Sequence, residues 1–327
     1  MLNYFFRRIL YLLLVVFLVS IILFTLYKMI PVDIVRIYTD GAQQGMNPSE
    51  FARLQEEVRL MLGLDDPMII QYFKWMGRMI TGDFGRSMVY RQPVWDVVQA
   101  PMGNTLRLNA ITMLFVFIIT IPLGITSAVK KGSIYDNTIQ VITILGFSLP
   151  VFVIALAAIL LFAIVLGWLP VSGAYSPGFS GTGWEFFFDR ARHMALPIGV
   201  MVFTSLGSLT RYIRASMIDA LRMDYIRTAR AKGLREKVVV YSHAFRNSMI
   251  PFMTVLVSWF ISLFGGSIMI EQIFSWNGMG SLYISSITNF DYGVALAIGM
   301  FYVLIGLIGN LVIDFVYTLV DPRIRLS

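Results

Sequence analysis

Six stretches of this chain each run 20 residues or more without a single carboxylate: Ile9–Ile30, Leu108–Val129, Ile139–Leu166, Met194–Ile213, Pro251–Ile270 and Val294–Ile313. A helix needs about 20 apolar residues to cross the hydrocarbon core of a bilayer. Lipid offers no partner to a free N–H or C=O, so spanning segments of this composition are helices. The expected class is therefore all-α, a polytopic membrane protein with six transmembrane helices. Bulk composition agrees: the chain is 57% hydrophobic with a mean hydropathy of +0.73, and only 14% of it is charged. A soluble domain carries about 25% charged residues.

The net charge of +7 raises the question of nucleic acid, and its placement answers it. With a cytoplasmic N-terminus and alternating spans, the inner segments hold fifteen basic residues against six acidic, and the outer segments ten against thirteen. This is the positive-inside bias. It explains the basic excess through topology and puts both termini in the cytoplasm, with no call for nucleic acid. There is no cysteine, which removes disulfides, thiol catalysis and cysteine–metal sites. The first apolar run is 22 residues long with no small-residue cleavage site after it, and it reads as an uncleaved anchor.

Several chemistries find no residues to carry them. No phosphate-binding G-x-x-x-x-G-K-[ST] loop occurs, so ATP hydrolysis is not expected of this chain. The six spans place no Asp or Glu between their ends, where a proton-coupled carrier uses carboxylates. His193 and His243 are the only histidines and fall on opposite membrane faces, so a shared metal site is excluded. Catalytic and metal sites are therefore both expected to be absent.

Along the chain, residues 1–30 form a basic tail and the first span, residues 31–103 an extracytoplasmic segment, and residues 104–327 a five-span core. The outer segment carries a helical pattern from Pro48 to Met61 opened by Asn47. A second helix is expected after Asp66-Pro67, through Ile70, Tyr72, Phe73 and Met76, and a turn at Thr81–Gly85. Gly146 and Pro150 predict a kink in the third span. Gly199, Ser205 and Gly207, and Gly299, Gly306 and Gly309, give spans four and six small faces for close helix packing.

The cytoplasmic loop 211–250 holds the most structured motif: Asp224, Tyr225, Ile226, Arg227, Thr228, Ala229, Arg230, Ala231, Lys232, Gly233, Leu234. Asp224 is expected to cap a helix of about eight residues, and Gly233 to stop it in the left-handed conformation. A helix so short is unstable alone in water and needs neighbouring structure to hold it. Ala229 and Ala231 leave its backbone approachable, with Arg227, Arg230 and Lys232 around them. Pattern alone leaves two readings, a solvated basic loop that fixes topology or a docking helix that enters a groove on a partner. A second helix is expected from Arg235 toward Met249, with Pro251 at the start of the fifth span.

This segment, with His243-Ala-Phe-Arg246-Asn247-Ser-Met-Ile-Pro251 after it, resembles the coupling loop of the dipeptide, oligopeptide and nickel ABC importer permeases. Further landmarks are similar in the same order: Met1–Arg8, Leu62-Gly-Leu-Asp-Asp-Pro67, Gly82-Asp-Phe-Gly-Arg-Ser87, Asn104-Thr105, Glu271 with Phe274 and Gly278-Met-Gly280, and Asp321-Pro-Arg-Ile-Arg325. The long outer segment resembles the B-type subunit. Where the general ABC motif has Glu-Ala-Ala, this chain has Arg227-Thr228-Ala229. His243 and Arg246 stand at its Ile and Pro positions, a variant similar to the peptide-importer branch. Pro31-Val-Asp33 departs from the family's Pro-Gly-Asp.

The resemblance implies a multi-pass permease subunit in a bacterial or archaeal cytoplasmic membrane, without catalytic residues of its own. Its implied partners are a second permease, two cytoplasmic P-loop ATPase subunits, an extracytoplasmic substrate-binding protein and membrane lipid. No cofactor is implied on this chain, ATP and Mg belonging to the partners. The implied cargo is a di- or oligopeptide, with nickel, glutathione or an oligosaccharide as alternatives. Glu271, with Asp314 at or just past a span end, reads first as a boundary or packing residue, and with Phe274 it is the candidate for a gate at the outer mouth. A self-contained carrier or channel would instead move substrate alone, and a receptor or scaffold would bind partners without flux.

Overall fold

The computed structural model describes residues 2–29, 33–39, 46–61 and 63–320. Pro31 and Val32, Leu62 and the landmark Asp321–Arg325 lie outside the described residues. The helices are α1 (Leu2–Met29), α2 (Ile34–Thr39), α3 (Pro48–Met61), α4 (Met68–Ile80), α5 (Val94–Val129), α6 (Ile134–Ser148), α7 (Val151–Ala158), α8 (Trp184–Leu221), α9 (Asp224–Ala231), α10 (Glu236–Val238), α11 (Arg246–Ser262), α12 (Ile268–Ile273), α13 (Met279–Thr288) and α14 (Tyr292–Val320). Two segments are wound as π-helix, Ile159–Val165 after α7 and Val239–Phe245 between α10 and α11. The chain groups into two compact units, residues 1–101 with 282–307, and residues 102–281 with 308–327.

Among the described residues, α1, α5, α8 and α14 are each long and apolar enough to cross a membrane, and α6 with α7 makes a fifth span if the pair is counted as one. Two expected spans differ in detail. The third is broken, with its halves at 105°. Leu149 before Pro150 takes an extended ψ of 137°, because the proline ring crowds the helical conformation of the preceding residue. The fifth is shifted: α11 begins at Arg246 and stops at Ser262, 17 residues long. Pro251 therefore falls inside α11 rather than at its start. The chain then turns at Gly265-Gly266 before α12. A Cβ on Gly266 would lie 2.3 Å from the Gly280 nitrogen, so backbone meets backbone there and the turn admits only glycine.

In the first unit, α4 packs against α1. Tyr72 meets Phe24 edge-on at 5.6 Å, its hydroxyl lies 2.8 Å from that of Ser20, and Lys28 Nζ donates to Gln71 Oε1 at 2.6 Å. Asp291 is fully buried and accepts from the Ser87 hydroxyl and from Met88 N at 3.2 Å. This ties down the end of the Gly82–Ser87 landmark.

In the second unit, α6 lies on α8 with almost no side-chain layer between them. A Cβ on Gly146 would stand 2.5 Å from the Phe203 carbonyl oxygen, and one on Gly207 2.5 Å from that of Thr143. Apolar tails give no drive for helices to associate in lipid, and close backbone approach supplies dispersion instead. Gly207 is crowded this way and Gly309 by the Ile261 side chain, whereas nothing stands within 4 Å of a Cβ on Gly199 or Gly306. Asp136, at the start of α6, is buried and takes two bonds from Arg214 of α8, both 2.7 Å, as well as bonds from Ser127 and Gly132 N.

Candidate functional site

The loop motif folds as a capped helix held by its own chain. α9 spans Asp224–Ala231. Asp224 is its first helical residue and not its cap: Met223 occupies that position, with extended ψ of 151° and no side-chain cap. The Asp224 carboxylate faces solvent and pairs with Arg227 at 3.5 Å, where it still complements the positive end of the helix dipole. At the other end Gly233 takes φ +73°. Gly233 N donates to Arg230 O at 2.9 Å and Leu234 N to Ala229 O at 3.4 Å, the paired bonds of a Schellman stop.

Ile226 (0% exposed) and Ala229 are buried in one apolar cluster with Met217 and Ala220 of α8 and with Val239, Val240 and Ala244 of the π segment. This burial supplies the neighbouring structure that so short a helix needs. Ala229 therefore faces its own chain, and of the two alanines only Ala231 is exposed. Ile226 had escaped notice as a site residue, although its spacing of three from Ala229 is the helical signature of a buried face.

The opposite face is open. Tyr225, Arg227, Thr228, Arg230, Lys232 and Leu234 are all exposed, and Met223 and Tyr241 beside them stay half open. Arg230 bridges to Glu236 by Nη2–Oε1 at 2.6 Å, and its guanidinium holds the Glu236 carboxyl below the usual range. The surface is thus an apolar and basic patch on a preformed helix.

The second loop helix does not end near Met249. From Glu236 the chain stays helical through the π segment into α11. His243 lies half-buried in that π segment, and its carbonyl accepts from Asn247 Nδ2 at 3.0 Å. Arg246 and Asn247 are exposed at the start of α11. The π winding places one more residue in each turn, a form found mostly as local bulges at functional places.

Glu271 and Phe274 are both buried. Glu271 Oε1 accepts from Thr105 Oγ1 and Oε2 from Ser281 N, both at 2.8 Å. Gly278 is pressed against this carboxylate: a Cβ there would come within 2.5 Å of Glu271 Cδ. Phe274 sits in a cluster with Ala155, Ile159, Leu196, Val200 and Ile270, and its carbonyl accepts from Gly173 N at 2.8 Å. Together they pin the turn between α12 and α13.

α5 and α8 frame an open apolar groove of ≈ 960 Å³. Ile111, Phe115 and Ile119 line one wall, Met194, Ile198 and Gly199 the other, and Arg107 and Arg190 stand at one end. Arg190 is fixed there by bonds to Asn104 Oδ1 and the Tyr175 hydroxyl, both 2.8 Å, and lies over the ring of Trp276. No cluster of metal-ligating side chains occurs among the described residues.

Comparison with known proteins places this arrangement. Residues 120–326 match the family described as binding-protein-dependent transport system inner membrane component, and residues 1–109 match its N-terminal region. The oligopeptide transport system permease protein AppB of Bacillus subtilis (strain 168) is 36% identical over 309 residues, 94% of each chain. The glutathione transport system permease protein GsiC of Escherichia coli (strain K12) is 36% identical over 325 residues, 99% of each chain. A solved structure of the MetNI methionine ABC transporter in inward-facing conformations aligns with 67% of this chain and 96% of its own, at 16% identity and a TM-score of 0.49. With that family matched over most of its length, the chain belongs to the binding-protein-dependent transport system inner membrane components, the non-catalytic, multi-pass permease subunits of ABC importers.

Proposed function

We propose that this chain is the B-type half of an ATP-driven importer of di- or oligopeptides. A second permease faces it across the passage, two cytoplasmic ATPase subunits hold ATP and Mg, and an extracytoplasmic binding protein delivers the cargo. The observation that carries this reading is α9, a helix with one face buried in its own chain and the other exposed, apolar and basic. A basic loop that served topology alone would need neither the Schellman stop nor the buried Ile226. Asp224, Tyr225, Arg227, Thr228, Arg230, Ala231, Lys232 and Leu234 form the face the ATPase grips. Ala229 and Gly233 hold its shape. His243, Arg246, Asn247 and Pro251 continue the connection into α11.

The α5–α8 groove is this subunit's share of the passage wall, in keeping with its size, since small-molecule sites run to about 300–1,000 Å³. Glu271 and Phe274 act at the outer end by positioning the α12–α13 turn. Alternating access follows if ATP-bound and ATP-free partners prefer different arrangements of this chain. Peptide is the cargo named for AppB and glutathione that named for GsiC. Glutathione is thus the second reading.

The test is reconstitution in vesicles. The chain with its second permease, ATPases and binding protein is expected to accumulate a labelled tripeptide only with ATP inside the ATPase compartment. Flux through the chain alone, without ATP, would instead establish a self-contained carrier.

A further inference from the structure

The outer segment contains a helix with an apolar stripe left exposed among the described residues. Ile69, Phe73, Met76 and Ile80 of α4 recur at helical spacing, and Ile69, Phe73 and Ile80 are 71%, 59% and 79% exposed. Gln71, Lys74 and Arg78 lie along another face. A further side, through Tyr72 and Trp75, packs on α1. Amphipathic helices of this kind lie in the plane of a membrane interface, with cations toward the headgroups and Trp, Phe or Ile toward the acyl chains.

The contacts with α1 set the depth. Among the described residues, α1 holds the most apolar 18-residue window of the four single-helix spans, with mean hydropathy 3.1. Trp75 and Tyr72 both meet Phe24, five residues before Met29, which is about 7 Å below the outer end of the span at 1.5 Å per residue. The Tyr72 hydroxyl reaches Ser20, nine residues below, or about 13 Å. Interfacial helices sink about 5–10 Å into the boundary between headgroups and acyl chains. The Lys28 ammonium, bonded to Gln71, marks the level where a cation can still reach the headgroups.

We infer that α4 is an interfacial helix embedded in the outer leaflet, its Ile69–Phe73–Met76–Ile80 stripe against lipid acyl chains, and not part of a water-borne cap. On α1, Leu14, Leu18, Ile22 and Leu26 are likewise exposed. The occupant is lipid because the helix is fastened to a membrane span at acyl-chain depth, and its polar side turns Arg78 and the Lys74–Asp66 pair, bridged at 2.6 Å, toward the headgroups.

The chain has no cysteine, so single cysteines report without background. Ile69→Cys, Phe73→Cys and Ile80→Cys each remove an exposed side chain, Phe73 giving up one edge-on contact with Tyr72 at 5.3 Å. Arg53→Cys on α3 serves as the aqueous control and Leu18→Cys on α1 as the lipid control. Each is read in the assembled transporter, in vesicles, for labelling by a membrane-impermeant maleimide. Each is then read for quenching of an attached fluorophore by lipids brominated on the acyl chain. All three α4 positions are expected to follow Leu18→Cys: loss of maleimide labelling and strong quenching by brominated lipid. Labelling as fast as at Arg53→Cys would overturn the inference and return α4 to water. Protection from maleimide without quenching would also overturn it, by making the stripe a contact with another subunit.

Discussion

Replacing Gly233 with valine separates the shape of the coupling loop from its chemistry. Gly233 sits at φ +73° with nothing within 4 Å of the place its Cβ would occupy, so the substitution meets no neighbour in this chain and acts through backbone strain. The left-handed conformation costs an L-residue roughly 1–2 kcal/mol, and a β-branched side chain lies at the upper end. Relieving that strain means giving up the two bonds of the stop, Leu234 N to Ala229 O and Gly233 N to Arg230 O. At 1.4 kcal/mol per decade, a cost near 2 kcal/mol lowers the ratio of closed to open loop roughly 30-fold. Uptake and ATP hydrolysis are measured on the same proteoliposomes, per assembled complex. Uptake per ATP is expected to fall by about that factor in Gly233→Val, while Gly233→Asn, which enters the left-handed region more readily, keeps most of it. Wild-type uptake per ATP in the valine variant would refute the reasoning, and so would an equal failure of the asparagine variant.

Other expectations concern the same loop and the helices beneath it. Arg230→Glu sets two carboxylates beside each other at Glu236 and cancels the net positive charge of the exposed face, so ATPase subunits should be lost on affinity purification. Glu236→Gln, which breaks only the ion pair, should retain them. Because Arg230 depresses the Glu236 pKa, the pair's contribution is present above the ordinary carboxylate pKa and lost as pH falls through the depressed value; acidification of Arg230 wild-type protein should therefore loosen the loop in proteolysis, and Glu236→Gln should be insensitive. Gly207→Leu should lower the melting temperature in detergent sharply, since even a Cβ would overlap Thr143 O and Phe147 Cβ at 2.5 and 2.6 Å, and Gly199→Ala should leave it unchanged. Ile226→Ala, which empties a fully buried position, should cost about 2–4 kcal/mol of local stability, read as faster hydrogen exchange across α9.

The spans that the sequence located best are those in which one run of apolar residues becomes one helix: α5, α8 and α14 contain their expected segments, and α1 holds its own as far as Met29, Ile30 lying outside the described residues. Hydropathy sums over a window and is blind to direction, which is why the third span kept its residues but not its line. Pro150 marked where it would bend, but not the 105° between the halves. The fifth span went astray because Gly265-Gly266 scores as apolar while acting as a turn. In the outer segment the α3 pattern held from Pro48 to Met61, since its helical period has no competing signal. At the loop, Gly233 was readable because only one conformation suits a glycine there. Asp224 misled because cap and first-turn positions favour the same residue. The Asp136–Arg214 pair lay hidden because its partners stand 78 positions apart and local spacing carries no trace of it.

The unbroken winding from Glu236 to Ser262 has a mechanical consequence. It carries α9's support at one end, through Val239, Val240 and Ala244. At the other end, Asn109 Nδ2 of α5 donates to the carbonyls of Ser262, Leu263 and Gly265 at 3.3, 2.9 and 3.0 Å, satisfying groups that the end of a helix leaves free. A rod of 27 residues is about 40 Å long, enough to cross a bilayer. Fastened at both tips, it has little freedom to absorb a displacement by fraying. A push delivered at the cytoplasmic tip is therefore handed to the far tip as torque about Asn109, and the stiffness of a single rod sets how faithfully the two sides of the membrane keep time.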